Sequence, residues 1–432
     1  MVRNSALRDI PDLKSACFCA PDLASREATR PVAVALLTGG TDRHYTYGLA
    51  MSLVTSGVYV DVVGGSEVDG PEMHSTPGLN FLDVWKGPNS NEGLLKKGVR
   101  LLTNYARLIA YAWGAKPKIF HILWNNRIEW FDRTLLMSYY RILGKKIVMT
   151  AHNVNMGRRD NTDSVSNRLT LKIQYSLAHR IFVHTEKMKG ELVRDFGVCE
   201  KAVTVIPYGI NNALPTVDLT STEARHRLGI SNGEKTILFF GNMRPSKGLD
   251  DLLAALELLH AKHLHYKLIV AGRPIKRHND SWQWTRRALL RLQEQGKVVL
   301  RNEFIPDRDV PLYFTAADVL ALPYREIFQS GVLFLGYSFG LPVVATDVGE
   351  LKKDIVEGRT GFICRPRDPE SLAAAIETYF QSDLFRELKN RRQEIRDYAN
   401  ARHSWSEVAR ITRAVYRELT TETLPEISKV VQ

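Results

Sequence analysis

Short runs of apolar, mostly β-branched residues alternate along the chain with segments whose apolar positions recur at helical spacing. Each short run is typical of a buried strand in a parallel sheet, and each longer segment is typical of a helix that packs on such a sheet. The predicted strands lie at 31–37, 58–63, 119–123, 146–149, 180–183, 202–206, 236–240, 267–271, 297–301, 319–322 and 343–345. The predicted helices lie at 45–56, 168–178, 187–195, 223–228, 249–260, 281–295 and 312–316.

The alternation stops and starts again between residues 211 and 234, where turn and capping residues such as Pro215 and Thr220 are concentrated. A chain of 432 residues is also too long for a single ordinary core. The sequence therefore predicts an α/β fold with two doubly wound parallel sheets in tandem. Residues 1–30 contain charges of both signs and no continuous apolar core, which predicts a poorly ordered extension and not a secretory signal.

Ligands of open α/β sheets bind beyond the carboxyl ends of the strands, so the residues that follow each predicted strand are candidates for a site. After the strand at 236–240, Gly241 begins a loop that carries Arg244 and Lys247. An arginine fork beside a lysine ammonium can bind a diphosphate and stabilise charge on a leaving phosphate. A pair of solvated surface cations is the alternative interpretation.

A second candidate lies in the stretch 323–362, where Gln329, Ser330 and Gly331 lead into a predicted apolar helix. Free N–H groups and the helix dipole favour an anion at such a position, and Gly331 lets it approach the main chain. An ordinary capped helix would use the same residues, so these alone leave both interpretations open. Residues 327–346 carry no charge, but Pro342 would break a membrane-spanning helix and favours a core helix followed by a core strand.

Two further loops carry candidate residues. Gly39 and Gly40 follow the first predicted strand and could let a ligand approach the backbone, although glycine is also common in ordinary turns. His152 follows the strand at 146–149, where it could meet a sugar hydroxyl or transfer a proton, or have only a structural role. Asp307 and Asp309 are similar to paired carboxylates that bind a divalent ion, but their place before a helix predicts capping and no metal site.

Composition limits the classes of protein. With 44% apolar and 25% charged residues, the chain has the composition of a soluble globular protein, and its 4 scattered cysteines predict neither a disulfide framework nor a zinc site. A net charge of +12 calls for an anionic partner, while motifs for nucleic acid are lacking. The segment 94–118 mixes helically spaced apolar and aromatic residues with lysine and arginine, which is typical of a helix on an anionic membrane or of a surface helix packed on the sheet.

Several of these segments, taken together, resemble the second half of a GT-B glycosyltransferase, in particular of the large retaining family 4. They are FGNMRPSKG at 240–248, VAG at 270–272, ADV at 317–319, GLPVVAT at 340–346 and GRTGF at 358–362. The first half agrees, with Gly39-Gly40, TAH at 150–152 and VIPYGIN at 205–211 in the order of that family.

The resemblance implies two facing Rossmann-like domains around a cleft: an acceptor-side domain at 31–212, a nucleotide-sugar-binding domain at 213–404, and a C-terminal helix at 405–432 that crosses back to the first domain. It also implies transfer from a nucleotide diphosphate sugar with retention and with no required metal or other cofactor. The residues implied are His152 and Glu326 as catalytic, Arg244, Lys247, Ser330, Gly331 and Val332 as diphosphate-binding, and Gly39, Gly40, Gly241 and Gln329 elsewhere in the donor site.

We therefore expect a hexosyltransferase-type enzyme that acts on a saccharide or lipid-linked acceptor in cell-surface polysaccharide or glycoconjugate synthesis. Its expected location is cytoplasmic, with peripheral contact at the inner face of the plasma membrane through 94–118, and its acceptor contacts are expected on long loops at 69–91 and 156–167. One departure supports an alternative, a catalytically silent nucleotide-sugar-binding protein. The family carries two glutamates before the Pro-Val-Val strand, and those places hold Ile327 and Leu335, although Glu326 is next to the first.

Overall fold

The structure, a computed structural model, describes residues 32–39, 42–87, 93–159, 162–210, 218–274 and 280–421. Two parallel sheets organise this part of the chain, which we call the first and the second lobe. The strands of the first lobe are β1 (Ala33–Leu37), β2 (Tyr59–Gly64), β3 (Leu79–Asp83), β4 (Ile119–Ile122), β5 (Lys146–Thr150), β6 (Arg180–Val183) and β7 (Val203–Val205). Those of the second are β8 (Thr236–Phe240), β9 (Lys267–Ala271), β10 (Val298–Arg301), β11 (Val319–Leu322), β12 (Val343–Thr346) and β13 (Gly361–Cys364).

Helices connect the strands of each sheet. In the first lobe they are α1 (Arg43–Thr55), α2 (Pro71–Ser75), α3 (Leu94–Gly114), α4 (Glu129–Phe131), α5 (Met137–Ile142), α6 (Met156–Arg159), α7 (Val165–Leu177) and α8 (Glu186–Phe196), with a π-helical turn at Asp132–Leu136. The later helices are α9 (Ser221–Arg227), α10 (Leu249–Ala261), α11 (Asp280–Glu294), α12 (Val310–Ala316), α13 (Gly331–Ser338), α14 (Leu351–Asp354), α15 (Pro369–Gln381), α16 (Asp383–Arg386), α17 (Leu388–Arg402) and α18 (Trp405–Thr421). Short 3₁₀ turns lie at Glu200–Ala202, Pro245–Lys247 and Asp307–Asp309.

The strand orders are those of doubly wound sheets. Among the described residues the first sheet runs β3-β2-β1-β4-β5-β6-β7 and the second β10-β9-β8-β11-β12-β13, with every pairing parallel. In both sheets the chain starts in the middle, winds to one edge and then crosses to the other side, which is the Rossmann-like order. The predicted α/β fold with two such sheets is confirmed.

Both faces of the first sheet are buried, and β1 shows how its sequence produces this. Val34 and Leu36 face a core that α1 and α18 complete, whereas Ala35 and Leu37 face a core that α3 and α5 complete. Because neighbouring side chains of a strand point to opposite faces, a continuous apolar run is what a strand covered on both sides requires. The carboxyl ends of such strands are therefore the places where polar residues can gather.

The last helix packs on the first lobe, and two glycines make this contact close. A Cβ atom on Gly48 of α1 would lie 2.1 Å from the indole ring of Trp405, and one on Gly209 would lie 2.4 Å from it. The indole N–H donates to the carbonyl oxygen of Ile210 at 2.8 Å. Helix α18 is thus held against both α1 and the segment that leaves the first sheet.

The sequence missed two strands. β3 and α2 both lie inside the segment 69–91, so the prediction that this segment is a long loop is wrong, whereas its expected contacts with an acceptor stay a prediction. β3 was missed because it is an edge strand with only partly buried side chains, so its sequence, LNFLD, lacks a continuous apolar run. β13 was interpreted as a tight glycine turn. None of the described helices combines the length and apolar character needed to cross a bilayer.

We expect Gly48→Ala to destabilise the protein by about 1–3 kcal/mol, because the added methyl group would overlap the packed indole of Trp405. Gly98→Ala is the matched control, since Gly98 also lies in a helix and its added methyl group would meet no atom within 4 Å. That substitution should stabilise the fold by roughly 0.5–1 kcal/mol. Chemical denaturation of both variants measures the difference, and equal effects would contradict the packing of α18 on α1.

Candidate active site

The loop between β8 and α10 begins and ends at glycines that its backbone requires. Gly241 has a φ of 99° and Gly248 a φ of 64°, which are conformations that favour glycine. A Cβ atom on Gly248 would lie 1.9 Å from the carbonyl oxygen of Pro323, just after β11. The N–H of Arg325 donates to the carbonyl oxygen of Ser246 at 2.8 Å. The loops that follow β8 and β11 are therefore in direct backbone contact.

The side chain of Arg325 fixes the same contact. Its guanidinium donates to Asp251 at 2.7 and 2.9 Å and to Asp250 at 2.7 Å, and these hydrogen bonds raise the pKa of Arg325 above its ordinary value. Both carboxylates lie on the first turn of α10. A planar fork bound to two carboxylates has little freedom, so it holds the loop 241–248 in place. Sequence reasoning missed Arg325, because its two partners are distant in the chain.

A candidate anion site lies where these loops meet the start of α13. A Cβ atom on Gly241 would lie 3.1 Å from the Lys247 ammonium nitrogen and 3.6 Å from a methyl group of Val332. Ser330 caps α13 by accepting a hydrogen bond from the N–H of Leu333 at 3.3 Å. The ammonium and the positive end of the helix thus share one small region, as an anion requires.

The other predicted members of this site lie close by in the chain. Gly331 is the first residue of α13 and is exposed, which leaves its N–H open to a ligand. Arg244 directly precedes the 3₁₀ turn that carries Lys247, and its side chain is partly buried. The ammonium of Lys247 also lies 5.2 Å from the ring centre of Tyr324, a cation–π contact that orients it.

His152 lies after β5 in a cluster of rings on the first lobe. It stacks on Trp124 with ring centres 4.3 Å apart and meets Tyr45 edge-on at 4.6 Å. Its Nδ1 is 3.1 Å from Nε2 of His184. Burial, together with the charges that His184 and His121 would carry, lowers the pKa of His152 well below its ordinary value, so it is neutral at pH 7.

The hydrogen bonds of this cluster define which nitrogen of His152 carries the proton. Nδ1 of His184 lies 3.4 Å from the carbonyl oxygen of Ile206, which can only accept, so this nitrogen is the donor. Burial lowers the pKa of His184 to about 4, so its Nε2 is a bare acceptor and Nδ1 of His152 must donate to it. Nε2 of His152 consequently has a free lone pair, and among the described residues this buried atom has no hydrogen-bond partner. Nε2 of His152 is thus a hydrogen-bond acceptor that no described group uses.

Tyr208 connects the ring cluster to the anion site. Its ring centre lies 6.4 Å from that of His152, and the ring stacks on Phe334 of α13 at 5.4 Å. Its hydroxyl oxygen lies 3.1 Å from where a Cβ atom on Gly331 would be. One partly buried tyrosine therefore contacts both the ring cluster of His152 and the start of α13.

Three further residues were predicted to belong to the donor site, and the structure describes two of them, Gly39 and Gln329. Gly39 has a φ of 60°, and a Cβ atom there would lie 2.5 Å from the carbonyl oxygen of Asn125, so packing of the chain on itself requires this glycine. Gly40 lies outside the described residues. The amide nitrogen of Gln329 donates to Asp354 at 2.9 Å, and burial raises the pKa of that carboxyl group to about 6. The amide oxygen of Gln329 is buried and has no partner among the described residues.

Leu335 and Glu326 lie in contrasting surroundings. Leu335, at the place of the missing glutamate, is only 9% exposed and belongs to the apolar core of the second lobe. Glu326 is exposed and borders a cavity of about 1130 Å³ that both lobes line. The first-lobe side of this cavity is formed by residues of α6, α7 and α8, including Arg158 and Lys187. Glu326 thus faces a space large enough for a sugar and part of an acceptor.

The Asp307–Asp309 turn does not cap α12 as expected. Asp309 occupies the N-cap position, but its side chain accepts no hydrogen bond from the helix. Asp307 instead lies 3.1 Å from Nε2 of His44 and 3.8 Å from the Arg43 guanidinium, both on α1. The carboxylate thus joins the two lobes. Among the described residues, no group of His, Cys, Asp and Glu side chains could hold a metal ion.

Two Rossmann-like lobes, with candidate residues on the strand-end loops of both, define a GT-B transferase fold. Comparison with known families agrees: residues 38–214 match the family described as Glycosyltransferase Family 4, and residues 234–382 match Glycosyl transferases group 1. The chain therefore belongs to the family 4-like GT-B glycosyltransferases and is a transferase.

Individual relatives are similar over nearly their whole length. An uncharacterised glycosyltransferase of Methanocaldococcus jannaschii is 24% identical over 391 residues, which cover 88% of this chain and 95% of the relative. The D-inositol 3-phosphate glycosyltransferase of Corynebacterium efficiens is 25% identical over 401 residues, which cover 87% of this chain and 90% of the relative.

Among solved structures, sucrose-phosphate synthase of Thermosynechococcus elongatus has a TM-score of 0.68 at 20% identity, covering 91% of this chain and 100% of that one. Anabaena HepE in complex with UDP-glucose has a TM-score of 0.65 at 17% identity, covering 91% and 99%.

Removing the Arg325 fork should loosen the loop 241–248 and weaken donor binding without removing any group from the anion site. We expect Arg325→Ala to raise the donor Kd or KM by about tenfold or more, since losing charge-assisted hydrogen bonds costs roughly 1.5–3 kcal/mol. Arg291→Ala is the control, because Arg291 pairs with Glu257 on exposed surface. An unchanged donor affinity in Arg325→Ala would contradict the role of this contact.

The ring cluster predicts a specific protonation state for His152. Nitrogen NMR of the labelled protein should show His152 with a protonated Nδ1 and a bare Nε2, and neutral at pH 7. Because the pKa of His184 is about 4 in the folded chain against 6.5 ordinarily, the unfolded chain binds a proton in this window that the folded chain does not. Stability should therefore fall as the pH drops from about 6.5 to about 4. A signal from a protonated Nε2 of His152 would overturn the assignment.

Proposed function

We propose that the protein is a retaining glycosyltransferase that moves a sugar from a nucleotide diphosphate sugar to a saccharide or lipid-linked acceptor, in the synthesis of a cell-surface polysaccharide or glycoconjugate. The observation that carries this proposal is the convergence of the Lys247 ammonium with Gly241 and the N-terminus of α13. Such a site suits a group with more than one negative charge. The solved Anabaena HepE binds UDP-glucose, which supports a donor of this class.

In the proposed reaction, the diphosphate of the donor lies against the start of α13 and is contacted by Lys247 and Arg244. When the bond between the sugar and the diphosphate breaks, negative charge grows on the leaving phosphate oxygen. A preorganised ammonium, a guanidinium and helix N–H groups stabilise that charge where it develops. In other transferases a divalent ion stabilises this charge. Here the positive groups of the chain would do so, and the proposal therefore requires no metal.

The donor sugar would then extend from the anion site towards His152. The free lone pair on Nε2 of His152 accepts a hydrogen bond from a sugar hydroxyl, and this neutral ring orients the sugar without adding charge. Glu326 would approach the reacting sugar from the side of the cavity between the lobes. Its exposed position gives it access to the incoming acceptor, which suits a catalytic carboxylate.

The acceptor would bind in the cavity of about 1130 Å³ that α6, α7, α8 and residues 326–328 line. Its walls contain basic residues such as Arg158, Arg168 and Lys172 together with acidic ones such as Asp163 and Asp195. Mixed polar walls suit a polyhydroxylated molecule that can donate and accept hydrogen bonds. The relatives named for D-inositol 3-phosphate also point to an acceptor rich in hydroxyl groups.

A second function, silent binding of a nucleotide sugar, is favoured by one observation. Leu335 is buried in the apolar core, so the position that carries the second glutamate in the family supplies no carboxylate here. A protein on this fold could retain the anion site and bind a donor without turning it over. Donor binding with no transfer or hydrolysis, over a broad panel of acceptors, would favour this second function.

Arg244→Ala combined with Lys247→Ala should abolish transfer. We expect kcat/KM to fall by at least about a hundredfold, which is typical for the loss of a group that stabilises transition-state charge. Isothermal calorimetry with UDP-, GDP- and ADP-sugars should show donor binding by the native chain and its loss in the double variant.

The control is Lys262→Ala, since Lys262 pairs with Glu377 on exposed surface of the same lobe. Full activity of the double variant would contradict the assignment of the diphosphate site. Failure of the native chain to bind any nucleotide sugar in the panel would refute the proposed function as a whole.

A further inference from the structure

Helix α3 has a wide apolar side, and only part of it is packed. One part packs into the first lobe through Tyr105, Leu108 and Ala112, which are at most 5% exposed. The adjoining part leaves large apolar side chains in solvent, with Leu102 69% exposed and Trp113 75% exposed. A surface helix of a soluble protein normally has a polar outer face, so this second apolar stripe calls for a partner.

We define the outer face of α3 as the exposed stripe that recurs at helical spacing beside the packed side. Its members are Leu95, Val99, Leu102, Ala106 and Trp113, all exposed. The helix begins with Leu94, which is 88% exposed. The sequence predicted either a membrane-binding helix or a surface helix packed on the sheet, and the packed side of α3 agrees with the second description.

The neighbouring helix α5 extends the exposed apolar surface. The hydroxyl group of Tyr139 donates to the carbonyl oxygen of Ile109 at 3.2 Å, which brings α5 alongside α3. Ile142, at the end of α5, is 83% exposed, and Leu135 in the π-helical turn before it is 56% exposed. The apolar surface is therefore wider than one helix.

The charged residues of α3 and of the segment that follows it are all basic. The segment 94–118 contains no aspartate or glutamate. Lys96, Lys97, Arg107, Lys116 and Lys118 are all exposed. Long basic side chains beside an apolar stripe can place their charges at the level of lipid phosphates while the stripe enters the acyl boundary. A protein partner with an apolar patch would not need this excess of positive charge.

We propose that the outer face of α3 binds the surface of an anionic phospholipid bilayer. Leu95, Leu102 and Trp113 enter the boundary between headgroups and acyl chains, and the flanking lysines contact phosphate groups. The helix lies in the plane of the surface and does not cross it, because its other face is part of the core of the first lobe.

This orientation has a consequence for the cleft. Just past β3, the N–H of Lys86 donates to the Asn104 side chain at 3.3 Å, near the middle of α3. The residues of α3 before Asn104 therefore extend about 15 Å beyond that contact, in the direction of the carboxyl ends of the strands. The bilayer would therefore lie on the side of the first lobe towards which its strands end, which, if the proposed function holds, suits a lipid-linked acceptor.

Flotation of the full chain with phospholipid vesicles tests this proposal. The native protein should float with vesicles that contain phosphatidylglycerol at low salt, bind those of pure phosphatidylcholine at least about tenfold more weakly, and be released by high salt. Leu102→Glu with Trp113→Glu should lower binding to the anionic vesicles by about tenfold or more, because two charges would enter the acyl boundary.

Trp284→Glu with Leu290→Glu is the matched control, since these apolar residues of α11 are 48% and 40% exposed on the second lobe. It should bind anionic vesicles as the native chain does. Equal binding by the α3 variant, or no binding by the native chain, would overturn the proposal. A native dimer that dissociates in the α3 variant, without vesicle binding, would assign the face to a second copy of the chain. Nucleotide-sugar calorimetry is independent of flotation, so failure of this proposal is distinguishable from failure of the proposed function.

Discussion

The backbone contact between Gly248 and Pro323 is the constraint on which the candidate donor site depends. It joins the loop after β8 to the loop after β11, two neighbouring strands of the second sheet. This contact holds the loop that carries Lys247, and the Lys247 ammonium lies near Gly241 and the start of α13. Arg325 holds the contact from the other side by binding both aspartates at the start of α10. The backbone contact thus holds the two loops in place, and the charged side chains of the candidate site extend from loops that are already fixed.

A seam of aromatic rings relates this frame to the first lobe. Tyr208 stacks on Phe334, and Phe334 in turn lies 4.3 Å from the ring of His403, whose Nδ1 donates to the carbonyl oxygen of Tyr208. Together with Trp405, these side chains pack around residues 208–210, where the chain leaves the first sheet. Burial there disfavours charge, which explains why the pKa of His403 falls to about 4 and why the histidines of the cluster are neutral. His152 can therefore offer a lone pair rather than a positive charge to a ligand.

The sequence predicted the parts of the protein that rest on local patterns. The central strands are continuous apolar runs because both of their faces are buried, and glycines at strand ends indicate turns, so β8, β9 and β11 were predicted with the bounds that the structure has. The edge strand β3 was missed because one of its sides lacks a neighbour. Arg325, His184 and the contact of Asp307 with α1 were missed for a different reason: the partners are distant in the chain, and only the fold brings them together. Lys247 could be named as a candidate because both its loop and its chemistry are local.

Leu335 shows how one substitution changes the site without disturbing the fold. The side chain lies within the core of the second lobe, where a carboxylate would need hydrogen bonds to offset its loss of water. An apolar residue is therefore the stable choice on this side of α13, and the helix N-terminus proposed to bind the diphosphate is unaffected. Among the described residues near α13, the buried oxygen of Gln329 is a hydrogen-bond acceptor that lacks a partner. It is neutral, whereas the family places a carboxylate before this strand. In the proposed function, the diphosphate and the rest of the donor are thus recognised by separate groups, and the departure from the family pattern at Leu335 concerns only the second.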